Sequence, residues 1–156
     1  MSQHSTDHAT FVIERTYAAA PGRVFDAWAS KQAKSNWFGP KEDPPQGWEL
    51  DFRIGGQERF AVTLDDGTRY SYDALYQDIV SEQRIVYTYE MYRDDVRISV
   101  SVSTVELLAA EGGTALTYTE QGVFLDGHDT AAAREHGTRE LLDALGESIE
   151  HGVAGA

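Results

Sequence analysis

The sequence has 156 residues, 41% of them hydrophobic, which is enough to build one domain with a sizeable buried core. The absence of cysteine excludes disulfide bonds, thiolate zinc sites and a catalytic thiol. Acidic residues outnumber basic ones by 26 to 13, and the formal net charge of −13 repels phosphates and anionic lipids, so we expect neither nucleic acid nor a membrane as a partner.

The amino terminus, MSQHSTDHAT, carries no hydrophobic segment of the kind found in signal peptides. No apolar run along the chain approaches the length of a membrane span. We therefore expect a cytoplasmic protein with a disordered tail at residues 1–9, one domain over residues 10–150 and a short carboxyl-terminal tail at residues 151–156.

The first predicted elements are a strand and two short helices. Alternating residues in FVIERTYA predict a strand over residues 11–18. Pro21 is tolerated in a first helical turn, and apolar residues follow it at helical spacing. A second helical run over residues 31–37 ends before a Gly-Pro pair, which stops helices.

A proline-rich loop separates the helices from a series of strands. The segment GPKEDPPQG, residues 39–47, contains three of the four prolines and is a candidate lid. WELDFRI and QERFAVTL predict a hairpin turned at Gly55-Gly56, and three long strands rich in tyrosine, valine and isoleucine follow. With TALTYTEQGVF as the last strand, the chain has six strands after the helices, or seven with the first.

The sequence returns to helical periodicity over residues 128–150. At about 100° per residue, one face carries Thr130, Arg134, Gly137, Thr138, Leu141, Leu145 and Ser148, with Leu142 and Ile149 at its edge. The opposite face carries His136, Glu140, Asp143 and Glu147. The first face is expected to lie against the sheet.

This order of elements predicts an α+β helix-grip fold, a curved antiparallel sheet of six to seven strands wrapped around a long carboxyl-terminal helix. The segments FVIERTYAAAPGRVFDAW, WFGP, DFRIGGQERF, YTEQGVFLDG and REHGTRELLDALGESIE resemble the START-like SRPBCC superfamily. Within it, they are similar to the group built on the carboxyl-terminal domain of the activator of heat-shock protein 90 ATPase. The resemblance extends from about residue 11 to residue 149.

The resemblance implies a cavity between helix and sheet, and three kinds of function. The superfamily includes lipid carriers, plant hormone binders and polyketide cyclases, and fold alone does not choose among them. We expect binding of a small apolar or aromatic molecule, with a cyclase-, dehydratase- or hydrolase-like enzyme as the alternative. The group's name also implies a chaperone partner, although the chain lacks room for the separate amino-terminal chaperone-binding domain of the eukaryotic activator.

Two charged residues are predicted to face the cavity. Alternation places Glu120 on the same face of the last strand as Leu116 and Tyr118, and Arg134 lies on the inner face of the terminal helix. Such groups are costly to bury alone and tolerable when paired. The pair is either a structural clamp or a polar anchor for a ligand; if the protein is an enzyme, Glu120 is the candidate catalytic acid or base.

Aromatic side chains are the other candidates for the cavity wall. Eight tyrosines exceed what an apolar core needs, because each buried hydroxyl requires a partner. We expect some tyrosine rows to cover an outer face or a homodimer contact. The predicted ligand-binding residues are Trp37, Phe38, Phe60, Tyr72, Tyr89, Tyr118, Glu120, Arg134, Gly137 and Leu141.

Two of these predictions carry a choice. Trp37 and Phe38 are adjacent, so we expect one to enter the core and the other, preferentially Trp37, to line the pocket. Gly137 lies inside a helix, where glycine costs about 1 kcal/mol relative to alanine. It marks either a close approach of the sheet, the simpler interpretation, or space left for a ligand.

No metal or cofactor site is predicted. Of the five histidines, only His128 is placed to approach the cavity mouth, and neither an HExxH motif nor a cluster with ligand spacing occurs. The glycine pairs lack the context of a phosphate-binding loop, and no GxSxG elbow is present.

Overall fold

The computed structural model describes residues 4–39 and 46–150. Its elements are β1 (Thr6–Tyr17), α1 (Pro21–Ala29), α2 (Lys31–Lys34), β2 (Gln46–Leu50), β3 (Gln57–Thr63), β4 (Arg69–Val80), β5 (Arg84–Arg93), β6 (Val96–Ala110), β7 (Gly113–Leu125) and α3 (Ala131–Glu150). All neighbouring strands are antiparallel, in the order β1-β7-β6-β5-β4-β3-β2. The helix-grip α+β prediction is confirmed.

The first strand begins earlier than its hydrophobic pattern predicts. Thr6 pairs with Leu125 and each following residue continues the ladder with β7, so the predicted disordered tail at residues 1–9 is wrong for residues 6–9. The backbone N–H of Ser5 also donates to Asp126 Oδ1 at 2.7 Å. The side chains of this stretch are mostly exposed, so they show no hydrophobic alternation. The strand is held there by main-chain hydrogen bonds to β7 and not by burial of its side chains.

The helices match the prediction with shorter ends. Pro21 opens α1, and the Ser30 hydroxyl accepts a hydrogen bond from the Ala33 N–H at 3.1 Å to cap α2. This second helix ends at Lys34, three residues before the predicted end. The Thr130 hydroxyl caps α3 by accepting from the Ala133 N–H at 3.1 Å, so the last helix starts at Ala131.

Packing of α3 centres on its second half. Leu142, Leu145 and Ile149 are buried, whereas the sequence placed the first and third of these at the edge of the inner face. Tyr17 fixes this arrangement by donating its hydroxyl to the Leu142 carbonyl at 2.7 Å. In this orientation α3 contacts the edge strand β1 and the helix α1.

Both tyrosine rows of the central strands face the interior. Tyr72 and Tyr76 on β4 are buried, and so are Tyr87 and Tyr89 on β5. The expectation that some of these rows cover an outer face is wrong, because the curved sheet turns the inner faces of both strands toward α3. The surface on which the homodimer expectation rested is therefore buried within the protein.

Parts of two predicted segments lie outside the described residues. These are residues 40–45 of the candidate lid and the tail at residues 151–156. Gly39, the last described residue before the first of these, has a positive φ of 92°, a conformation that glycine adopts readily. In the described ranges no helix is long and apolar enough to cross a membrane.

Candidate functional site

A cavity of about 690 Å³ lies between α3 and the inner face of the sheet. This volume is within the range of small-molecule sites. Residues from α1, from the segment after α2, from four strands and from α3 and the turn before it line the cavity. They are Trp28, Trp37, Phe38, Gly39, Phe60, Tyr72, Tyr87, Tyr89, Met91, Tyr118, Asp129, Ala133, Arg134, Gly137, Thr138, Glu140, Leu141, Leu142 and Ala144. Nine of the ten residues predicted from the sequence are among them; Glu120 is the exception.

Strand register produces the aromatic wall. Phe60 and Tyr72 are direct partners in the β3–β4 ladder, and their rings stack with centroids 4.9 Å apart. Tyr89 on β5 continues the row, 5.1 Å from Tyr72. Because residues of neighbouring strands that share a face lie side by side, the aromatic positions on three strands merge into one surface.

Trp37 and Phe38, which are adjacent in the sequence, both line the cavity. Trp37 is 3% exposed, and its indole N–H donates to the Ala27 carbonyl at 2.9 Å. Phe38 is partly exposed and packs edge-on against Phe60 and Tyr72, each at 5.6 Å. The preference for Trp37 as the pocket residue is corrected, because it is the more deeply anchored of the two and Phe38 is the more accessible.

Glu120 lies on the inner face of β7, as alternation predicted, and is 1% exposed. The Tyr89 hydroxyl donates to its Oε2 at 2.6 Å, and the Tyr118 hydroxyl donates to its Oε1 at 2.8 Å. Arg134 Nη1 lies 3.4 Å from Oε2, so the predicted pairing of the two charges is present. The carboxylate stands behind the two tyrosines rather than on the cavity surface.

Arg134 is held by more partners than the sequence suggested. Its Nη1 also donates to the Tyr89 hydroxyl at 2.9 Å, and its Nη2 donates to Ser99 Oγ at 2.8 Å and to Asp129 Oδ2 at 2.9 Å. Asp129 was not predicted from the sequence. The available signal was its position just before α3, where acidic side chains accept hydrogen bonds from backbone N–H groups. Its Oδ1 accepts from the N–H of Thr130 at 2.7 Å.

Burial keeps the tyrosines of this cluster protonated. Loss of solvent, reinforced by the nearby Glu120 charge, raises the pKa of Tyr89 well above its usual value. Burial has the same effect on the pKa of Tyr118, with Tyr87 and Glu120 adding to it. Both hydroxyls are therefore donors to the carboxylate at neutral pH rather than acids.

Gly137 faces open space. A Cβ added to it would meet no atom of the described residues within 4 Å, whereas a Cβ on Gly146 of the same helix would approach the Tyr17 ring at 3.0 Å. The simpler interpretation, close packing of the sheet against Gly137, is wrong. Its neighbour Glu140, predicted on the outer face, reaches the cavity rim with a mostly exposed side chain.

A second buried ion pair, which the sequence analysis missed, lies beside the aromatic wall. Lys34 Nζ donates to Glu58 Oε1 at 2.6 Å, and both side chains are almost fully buried. Trp48 and Tyr76 donate to the same carboxylate, each at 2.9 Å. The only sequence signal was the alternation that places Glu58 on the same face of β3 as Phe60, and nothing local indicated that a lysine 24 residues earlier would join it.

No metal site is formed by the described residues. They contain no group of three or more histidine or acidic side chains that could hold an ion. His128, predicted near the cavity mouth, is not among the lining residues, and its Nδ1 lies 3.0 Å from Arg93 Nη2.

Comparisons with known proteins agree with this fold. The family model described as Activator of Hsp90 ATPase homolog 1-like protein matches residues 18–150. A protein from Rhizobium leguminosarum is 46% identical, with a TM-score of 0.91 over 95% of this chain and 98% of its own. Protein Mll3558 from Rhizobium loti is 45% identical, with a TM-score of 0.87 over 93% and 99% of the two chains.

A more distant structure, protein CV1439 from Chromobacterium violaceum, is 23% identical with a TM-score of 0.78 over 90% and 96% of the two chains, and it shows the shared fold alone. No curated protein matches the sequence.

Proposed function

The chain belongs to the family of Activator of Hsp90 ATPase homolog 1-like proteins, and from this premise we propose that it binds a small, largely apolar molecule between α3 and the sheet. The observation that carries the proposal is the cavity of about 690 Å³ with its wall of aromatic rings. Cavities of this size with few polar groups are typical of small-molecule sites.

The terminal helix supports the proposal independently. Gly137 costs helix stability, about 1 kcal/mol relative to alanine, and no packing contact within residues 4–39 and 46–150 requires it. A larger side chain there would project into the cavity. The glycine therefore preserves volume, which a binding site uses and a packed core does not.

The neutral fluorescent probe N-phenyl-1-naphthylamine tests the proposal by titration. We expect Gly137→Leu to weaken probe binding by about tenfold or more, because the added side chain occupies the cavity. Ala132→Leu is the matched control, since it adds the same side chain to an exposed position of α3 outside the lining. No probe binding to the unaltered protein, or equal affinity for the two variants, contradicts the proposal.

Catalysis by Glu120 has less support. Both carboxylate oxygens already accept hydrogen bonds from tyrosines, and the group is not on the cavity surface. A chaperone partner rests on the family description alone. Stimulation of a purified heat-shock protein 90 ATPase would favour that role.

A further inference from the structure

We propose that the ligand is uncharged and carries a hydrogen-bond acceptor, such as a carbonyl oxygen, to which the Tyr72 hydroxyl or the Trp28 indole N–H donates. This inference rests on the proposed function and specifies the chemistry of the same cavity. Its two supports are a pair of donors without partners and the balance of charge around Arg134.

Tyr72 and Trp28 both line the cavity and are 5% and 2% exposed. The Tyr72 hydroxyl and the Trp28 Nε1 have no hydrogen-bond partner within the described part of the chain. A buried polar group without a partner costs about 1–3 kcal/mol, and native proteins leave few of them. Two such groups among the lining residues, one on α1 and one on β4, indicate that a bound molecule supplies the acceptor.

Neighbouring side chains of the same types are satisfied inside the protein. The Trp37 indole donates to Ala27 at 2.9 Å, and the Trp48 indole donates to Glu58 at 2.9 Å. The Tyr76 hydroxyl also donates to Glu58. The fold thus provides partners for nearby indoles and hydroxyls, including that of the lining residue Trp37, and leaves the Tyr72 hydroxyl and the Trp28 Nε1 unpaired.

A carboxylate ligand does not fit the other polar group of the wall. Arg134 already directs Nη1 and Nη2 at Tyr89, Ser99 and two carboxylates, those of Glu120 and Asp129. Two acidic side chains therefore surround one basic one, and a further anion would be repelled. A protonated amine is disfavoured at the Trp28 indole, because both groups can only donate hydrogen bonds.

Solvent does not reach the Tyr72 hydroxyl or the Trp28 Nε1, so an acceptor must displace a side chain to contact them. Phe38 is placed to move, because it is partly exposed and packs edge-on against the Tyr72 ring at 5.6 Å.

Three probes with the same two-ring body test the inference by calorimetric titration. Benzophenone carries a neutral acceptor, 1,1-diphenylethylene has nearly the same shape without an acceptor, and diphenylacetate is an anion. We expect benzophenone to bind at least about fivefold more tightly than 1,1-diphenylethylene, the factor that one net hydrogen bond supplies. Diphenylacetate is expected to bind most weakly.

Tyr72→Phe tests whether the Tyr72 hydroxyl donates the hydrogen bond to the acceptor. We expect it to lower benzophenone affinity about fivefold, to leave 1,1-diphenylethylene affinity unchanged, and to leave the free energy of unfolding unchanged or higher because an unpaired buried hydroxyl is removed. Tyr76→Phe is the matched control; its hydroxyl is paired with Glu58 and lies outside the lining, so it should lose stability and keep both affinities.

The outcomes separate this inference from the proposed function. Equal binding of benzophenone and 1,1-diphenylethylene, or tighter binding of diphenylacetate, overturns the acceptor inference while supporting a binding cavity. Loss of stability in Tyr72→Phe with unchanged benzophenone affinity also overturns it. Binding of none of the three, together with no binding of N-phenyl-1-naphthylamine, overturns both proposals.

Discussion

At the scale of single residues, the fully buried charges among the described residues lie where several hydrogen-bond partners meet. Glu120 accepts from two tyrosines and faces Arg134, while Glu58 accepts from Lys34, an indole and a tyrosine. Removing one member of such a cluster leaves another buried group without its partner, which is the costly event. The clusters therefore hold strands and helices together mainly because separating them would leave a buried charge unpaired, and less because of the attraction between the opposite charges.

Glu120→Gln tests the cluster beside the cavity. We expect the free energy of unfolding to fall by about 2–3 kcal/mol in urea titrations, because hydrogen bonds to a charged acceptor are replaced by neutral ones and Arg134 loses a counter-charge. Since Glu120 lies behind the wall, probe affinity should change by less than about twofold.

Glu106→Gln is the appropriate control, because Glu106 is an exposed strand carboxylate. Glu140 would be a poor control, since it reaches the cavity rim. A tenfold loss of probe affinity in Glu120→Gln, with stability preserved, would show that the carboxylate anchors the ligand instead.

At the scale of elements, α3 combines two different contacts with the rest of the protein. Its second half is packed, with Leu142 and Leu145 buried against the core, and a Cβ added to Gly146 would lie 3.0 Å from the Tyr17 ring. The cavity borders this helix from Ala133 to Ala144, and a Cβ added at Gly137 would meet open space there. One helix thus both packs against the core and forms one side of the cavity.

Alanine substitution of the two glycines measures this difference. Gly137→Ala is expected to raise the free energy of unfolding by about 0.5–1 kcal/mol, since its Cβ meets nothing and alanine favours the helix. Gly146→Ala should show no gain or a loss, because the new Cβ meets a Tyr17 ring held by its hydrogen bond to Leu142. Thermal and urea unfolding give both values; the same gain at both positions would refute the open space at Gly137.

At the scale of the whole molecule, the concave sheet and the helix enclose a tyrosine-rich interior. Burial is the main cause that raises the pKa of Tyr17, Tyr72, Tyr76, Tyr87, Tyr89 and Tyr118. The folded protein keeps these protons at a pH at which the unfolded chain has released them. The contribution to stability is therefore complete below the unfolded pKa of about 10 and falls as the pH rises above it.

Alkaline titration should accordingly unfold the protein cooperatively. Each buried tyrosine lowers the free energy of unfolding by up to about 1.4 kcal/mol per pH unit above pH 10. Absorbance at 295 nm reports tyrosinate and circular dichroism reports the sheet, and most tyrosinate should appear together with the loss of the sheet signal. Ionisation of all tyrosines near pH 10 with the sheet intact would contradict the buried arrangement.

Local patterns in the sequence were sufficient for the element order, the helix-grip fold and the inward direction of Glu120 and Arg134. Strand alternation and helical periodicity depend only on neighbouring residues, so these features can be deduced before any packing is known. The first strand was predicted as well, making seven with the others. Its polar start from Thr6 was not predicted, because its pairing with β7 leaves no hydrophobic pattern.

Only the tertiary structure decided the features that depend on distant residues. Lys34 meets Glu58 across two elements, both tyrosine rows turn inward, and Gly137 faces volume instead of the sheet. None of these follows from spacing along the chain, since sheet curvature and the rotation of α3 set which side chains meet and where space is left. The sequence therefore determined which residues share a face of a strand or helix, and the packing of the sheet against α3 decided which of the tyrosine faces point inward and what each face encounters there.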